Sequence, residues 1–343
     1  MAKYTIYGTR DSRIGDLDAK RPDASVKGKV EVADEDWINL VGDCYVNGNK
    51  YSGETDYWGR FSYKDGWVKG SSRVTGFDVT LDDGSFTVYV DNIYLKVSEI
   101  EDAAKSNKHL RAFTKELFEG DDEIDGSHGG GSLFARTHSG NDKIDVHSGM
   151  DNDIDSGSGD DEIMVWPGVG GIFLGGDDND KITNWSSTAE VNGCRGNDTL
   201  KGNTSANKMR GGNGRDILTG GYGGDYLHGD FGLNTFTGEK DGYEDNLYIK
   251  SDHLAYNHIY GKAGNSPNGE KADKIGELDT YDKIFIQGAD TSQLSFGHVD
   301  HASALGITLS GTGIYADGVL EAVYVGSNLT SSDIKSMTSG APA

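Results

Sequence analysis

Aspartates recur along this chain at intervals suited to binding a cation. Asp122, Asp142, Asp161, Asp180 and Asp198 follow one another at intervals of 20, 19, 19 and 18 residues, after which Asn207, Asp216, Asp225 and Asn234 come nine apart. Two residues after each stands a large apolar residue: Ile124, Ile144, Ile163, Ile182, Leu200, Met209, Leu218, Leu227 and Phe236. Two residues before stands a glycine in most copies, Gly120, Gly140, Gly159, Gly196, Gly214 and Gly223, with Asp178 in that place before Asp180. Carboxylates and glycine carbonyls left open by the missing side chain are hard oxygens, which suit Ca²⁺. Glycine also admits positive φ, so six residues can turn tightly. The remaining three form a short strand whose central apolar residue points inward. All sixteen of these aspartates, asparagines and glycines are the candidate metal residues. A solvated Gly-Asp loop without metal would leave the recurring apolar residue unexplained.

Two copies are complete, Gly211 to Thr219 and Gly220 to His228, each of the form G-G-x-G-x-D-x-U-x with U large and apolar. This resembles the RTX, or haemolysin-type, calcium-binding nonapeptide repeat. The resemblance implies a right-handed parallel β-roll, a β-solenoid in which two nonapeptides make one coil and several Ca²⁺ ions bind. On such a coil, positions 122, 142, 161, 180, 198, 216 and 234 would stack on one edge. The opposite edge, with turns near Gly130, Asp151, Gly170 and Ala189, is degenerate until Asn207 and Asp225 recover the motif. Asp151 stands one residue out of step with Ile154, and Asn207 and Asn234 are neutral. Sites on those turns are expected to be weaker or absent.

The expected fold is mainly β: an N-terminal β-rich domain ending in a helix (1–117), the roll (118–245) and a C-terminal β-rich cap (246–343). Phe77 to Leu81 and Phe86 to Val90 alternate apolar and polar residues around an Asp82-Asp83-Gly84-Ser85 turn, as a hairpin does. Ser98 and Glu101 fit a capping box that opens a helix reaching about Leu117. Asp282 to Ile286 and Gly306 to Leu309 read as strands. A repeat stack has two open ends, and such flanks can cover them. Ala272 to Ile275, Tyr281 to Gly288 and Glu321 to Thr330 are similar to segments that follow RTX arrays.

Composition narrows the function. The roll block holds 28 of the 51 glycines, and its 9 basic against 25 acidic residues carry two thirds of the net charge of −24. Nucleic acid is excluded as a partner, because phosphate binding needs basic patches. Without a cation the stacked carboxylates would repel, so the block should fold only when the ion binds. Cys44 and Cys194 lie too far apart in sequence for a zinc spacing or a disulfide framework. No run of about 18 apolar residues exists to span a membrane. Met1 to Gly15 lacks an apolar core of signal-peptide length, so any export is expected without a cleaved N-terminal leader. The resemblance implies type I-like export.

No catalytic residue is identified, and the chain is read as non-enzymatic. H-E-x-x-H, G-x-S-x-G and Walker loops are missing from the sequence. His138 and His147 fall in repeat turns, and His298 and His301 flank Asp300 without a third spaced ligand. Carboxylate pairs leave a glycosidase or lyase open. Tyr57, Trp58, Tyr63 and Trp67 form an aromatic stretch that suits a small β core, a sugar platform or a subunit contact. Three roles follow. The first is an extracellular or cell-surface structural or adhesion protein, stiffened by calcium, that docks its flanking domains on a surface or matrix. The second is a structural or receptor-binding component of a virion or other particle. The third is a polysaccharide-binding or polysaccharide-modifying protein. An oligomer is open in each.

Overall fold

A computed structural model describes residues 118–129, 132–251, 272–304 and 307–342, together with the backbone of strands between residues 3 and 96. The proposed helix up to Leu117 lies outside the described residues. The chain forms two compact units, residues 1–172 and 173–343.

In the first unit, two parallel ladders are built from short strands. One comprises Glu123–Gly129, Lys143–Val146 and Glu162–Val165. The other comprises Leu133–Arg136 and Asn152–Ser158. Ile124, Ile144 and Ile163 stand in register and are buried, as are Ala135 and Ile154. Neighbours on either side of each apolar residue face outward, because successive strand residues alternate.

Both ladders begin with residues from the start of the chain. Lys3–Gly8 pairs in parallel with Glu123–Gly129, and Ser12–Ile14 with Leu133–Arg136. On its other edge Lys3–Gly8 pairs antiparallel with Phe86–Lys96. From there an antiparallel meander runs through Arg73–Leu81, Asn49–Arg60, Trp37–Val46 and Ser25–Ala33. The hairpin read from the sequence is present, with Phe77 opposite Val90. Tyr57 and Trp58 lie on the strand Asn49–Arg60, and Tyr63 pairs with Val68 beside Trp67.

The second unit repeats the two-ladder plan, with 18-residue coils as far as Phe236 and longer ones beyond. Ile182, Leu200, Leu218, Phe236 and Ile275 stack in register on one ladder. Val191, Met209, Leu227, Leu247 and Ile284 stack on the other. All ten are buried. Inward apolar columns make most of the core of the coils, joined by buried Phe173, Ile249 and Ile286.

The C-terminal segment adds last rungs rather than a separate layer. Val319–Tyr324 extends the first ladder beside Asp273–Ile275, and Thr338–Ala341 extends the second beside Lys283–Gln287. An antiparallel pair, Leu294–Ala304 and Ile307–Ala316, packs Val299 and Leu309 onto Ala272, Leu320 and Val323. The helix Ser331–Met337 is capped by Thr330, whose hydroxyl accepts from the Asp333 amide, and it buries Ile334 and Met337. No helix among the described residues is long and apolar enough to cross a membrane.

Candidate metal centre

The aspartates occupy the turns between the ladders, and each clasps its neighbour coil. In the second unit, the Asp180 amide donates to Asp198 Oδ1 at 2.8 Å, and the Asp198 amide to Asp216 Oδ1 at 2.9 Å. The series continues from Asp216 to Asn234 Oδ1 at 3.1 Å and from Asn234 to Asp273 Oδ1 at 2.7 Å. The carbonyls of Asp180, Asp198 and Asp216 in turn accept from Thr199, Ile217 and Thr235. A second series on the other turns links the amides of Asn207, Asp225 and Asp245 to Oδ1 of Asp225, Asp245 and Asp282, at 2.7, 2.8 and 3.0 Å. In the first unit the Asp122 and Asp142 amides donate to Oδ1 of Asp142 and Asp161 at 2.8 and 2.7 Å.

One carboxylate oxygen therefore holds the fold. At four of these aspartates the other is left over. Oδ2 of Asp198, Asp216, Asp225 and Asp245 is buried without a hydrogen-bond partner. An anionic oxygen removed from water with no donor is costly, and a cation removes that cost. Burial pushes the carboxyls up, Asp198 to about 6, Asp216 and Asp245 to about 7 and Asp225 to about 8. Asp142 and Asp161 are raised by the same cause, to about 6 and about 7.

The glycines serve two purposes. Positive φ explains Gly120, Gly140, Gly159, Gly196, Gly214 and Gly223. Gly193, Gly211 and Gly220 do not have it. A Cβ on them would lie 2.1, 2.4 and 2.1 Å from Oδ2 of Asp198, Asp216 and Asp225, so their bareness makes the cradle for that oxygen. Asp178 replaces the positive-φ glycine, at φ 80, with its side chain exposed.

Other residues fall differently from the reading of the sequence. The turn assigned to Asp151 is in register at Asn152, whose Oδ1 accepts from the Leu133 amide at 2.6 Å. Asp245, Asp273 and Asp282 join the series although they stood outside the candidate set. Each has the same apolar residue two positions on, Leu247, Ile275 and Ile284. A further exposed ladder runs one residue ahead of the buried one: the Asn141 and Asp160 amides donate to the side chains of Asp121 and Asn141. Asn179 and Asn197 accept in the same way from Asn197 and Arg215. His147 Nε2 lies 3.0 Å from Asp145 and its ring stacks on Trp166. Among the described residues no three His, Cys, Asp or Glu side chains gather round one point. A site here takes one carboxylate per turn and completes itself with backbone carbonyls.

A family model for the RTX calcium-binding nonapeptide repeat matches residues 192–227 and 202–236. These are RTX repeats folded as a β-roll. No curated protein and no solved structure matches the chain. RTX repeats bind calcium, and the residues present fit that ion: hard oxygens, with a buried anionic oxygen at Asp198, Asp216 and Asp225 left unused by the fold. The residues that would hold it in the matched region are Asp198, Asp216 and Asp225, with carbonyls of the glycine-rich turns. The ion would supply charge neutralisation and a cross-link between coils.

A pH dependence follows, with its sign fixed by the raised carboxyls. In metal-free protein they favour the protonated folded state, so their stabilisation is complete below the unfolded value of about 3.9. It is lost as pH rises through about 6 to about 8. Thermal melts of the chelated chain should show a more stable roll at mildly acidic than at mildly alkaline pH. Calcium should reverse the order, because protons compete with it for the same oxygens. A chelated roll that gains stability on going alkaline would contradict this assignment.

Proposed function

We propose that the chain is a non-enzymatic structural or adhesion protein, whose calcium-stiffened RTX roll presents its flanking β segments on a cell surface or in an extracellular matrix. The observation that carries the proposal is the coil-to-coil clasp. The buried carboxylates are spent on holding one turn to the next, as from Asp198 to Asp216, rather than turned toward a substrate. The outer faces add ion pairs between neighbouring strands, Lys208 with Glu190 at 2.8 Å and Arg136 with Asp153 at 2.8 Å. Such lateral links stiffen a spacer and build no cleft. Extracellular calcium, at about millimolar levels, is the range extracellular calcium modules use.

Fractionation of the producing cells tests the proposal. The chain should appear in the surface or matrix fraction and be released by chelator. Recovery from the cytosol alone would overturn it. Stoichiometric recovery in purified particles would replace it with the virion role, and polysaccharide turnover by the purified chain would replace it with the carbohydrate role.

A further inference from the structure

At Asn152 an amide nitrogen stands where other turns leave a carboxylate oxygen unused. At Asn207 the amide oxygen stands there, 2.3 Å from where a Cβ on Gly202 would lie, and the nitrogen faces carbonyls of the preceding coil. Asn152 Nδ2 lies 3.1, 3.0 and 2.7 Å from the carbonyl oxygens of Ser148, Gly149 and Gly170. Asn207 Nδ2 lies 3.0 Å from both the Asn184 and the Ser186 carbonyl oxygens. The orientation of each amide is fixed by what its oxygen accepts. Asn152 Oδ1 takes the Leu133 amide at 2.6 Å, and Asn207 Oδ1 takes the Asn203 amide at 3.2 Å. Both side chains are buried.

At Asn152 three carbonyls converge on one nitrogen and outnumber its two hydrogens, and at Asn207 two carbonyls take both. Such an arrangement is what oxygens adopt around a cation, and the amide offers positive hydrogens in the same place without a formal charge. We propose that Asn152 and Asn207 decide which turns take no calcium: their amide groups stand in for the ion and close those turns without metal. This rests on the calcium reading above. Asn234 has no such role. Its Oδ1 continues the clasp to Asp216, but its Nδ2 is buried with no acceptor.

The exchange of one atom should convert a closed turn into a site. Asn207→Asp keeps the oxygen that accepts from Asn203 and replaces the donor facing the Asn184 and Ser186 carbonyls with a carboxylate, which, once ionised, only a cation can reconcile with them. Asn152→Asp does the same in another coil, and keeps the test available if one variant fails to fold. Asn207→Ala removes the stand-in without adding a ligand.

Native mass spectrometry of the full chain in calcium counts the ions. Each Asn→Asp variant should carry one ion more than the parent. Asn207→Ala should carry the same number as the parent, and in the calcium-loaded chain its Asn203 amide should exchange about tenfold faster, as the loss of a hydrogen bond near 1.4 kcal/mol requires. Loss of an ion from Asn207→Ala would make Asn207 a ligand and overturn the inference. Unchanged counts in both Asn→Asp variants would overturn it as well. A parent chain that binds no calcium would overturn the calcium reading itself, a result distinct from either.

Discussion

Chelation of the full chain near neutral pH is expected to abolish most of the β signal of the roll, and calcium at about millimolar levels to restore it. The reason lies in what the coils have to hold themselves together. The coils present narrow apolar columns, such as Leu200, Leu218 and Phe236, beside buried carboxylates at most of the clasped turns. Without the ion, Asp198, Asp216, Asp225 and Asp245 must either stay ionised with a stranded oxygen or take up protons. Both routes cost free energy near neutral pH, and the block's charge of −16 adds repulsion. Circular dichroism during a chelator titration reads the change. A full β signal in excess chelator would contradict the account.

A severe effect of a single substitution is expected at Gly196. Its φ is 136, and a Cβ there would lie 1.6 Å from the Asp178 carbonyl oxygen of the adjacent turn. No flexible side chain is available to move aside, so two turn backbones must part. Gly196→Ala should destabilise the calcium-loaded chain by about 3–5 kcal/mol, the range of severe backbone and packing defects. Gly242→Ala is the matched control. It also has positive φ, at 82, but a Cβ meets nothing within 4 Å. That substitution should cost only the conformational penalty, about 1–2 kcal/mol. Urea melts of both variants in saturating calcium decide the point: equal losses would show that turn-to-turn crowding at Gly196 is not what its glycine serves.

The roll was legible in the sequence because its chemistry is local. An aspartate two residues ahead of an apolar residue is a signal contained in three positions, and every apolar residue so marked is buried. Legibility failed where the signal depended on something farther away. Anchoring on Asp151 misplaced a turn that Ile154 assigns to Asn152. Asp245 and Asp282 carry the same local mark, but the 37 residues between them break the spacing that recommended the others. The pairing of Lys3–Gly8 with Glu123–Gly129 joins segments more than a hundred residues apart and has no repeat to announce it. Glycine type was read correctly but only half explained. Positive φ accounts for Gly196 and Gly214, whereas Gly193 and Gly211 are bare to make room for an oxygen five residues on, a reason visible only once the turn is closed.

The central claim is a division of labour within one carboxylate: Oδ1 clasps the coils and Oδ2 takes the ion. Anomalous diffraction from crystals of the full chain grown in calcium measures it directly. The account expects calcium within about 2.3–2.6 Å of Oδ2 of Asp198, Asp216 and Asp225, with Oδ1 still accepting the amide of the preceding coil. Calcium confined to the exposed Asn179 and Asn197 ladder, with those three Oδ2 atoms facing only protein or water, would contradict it.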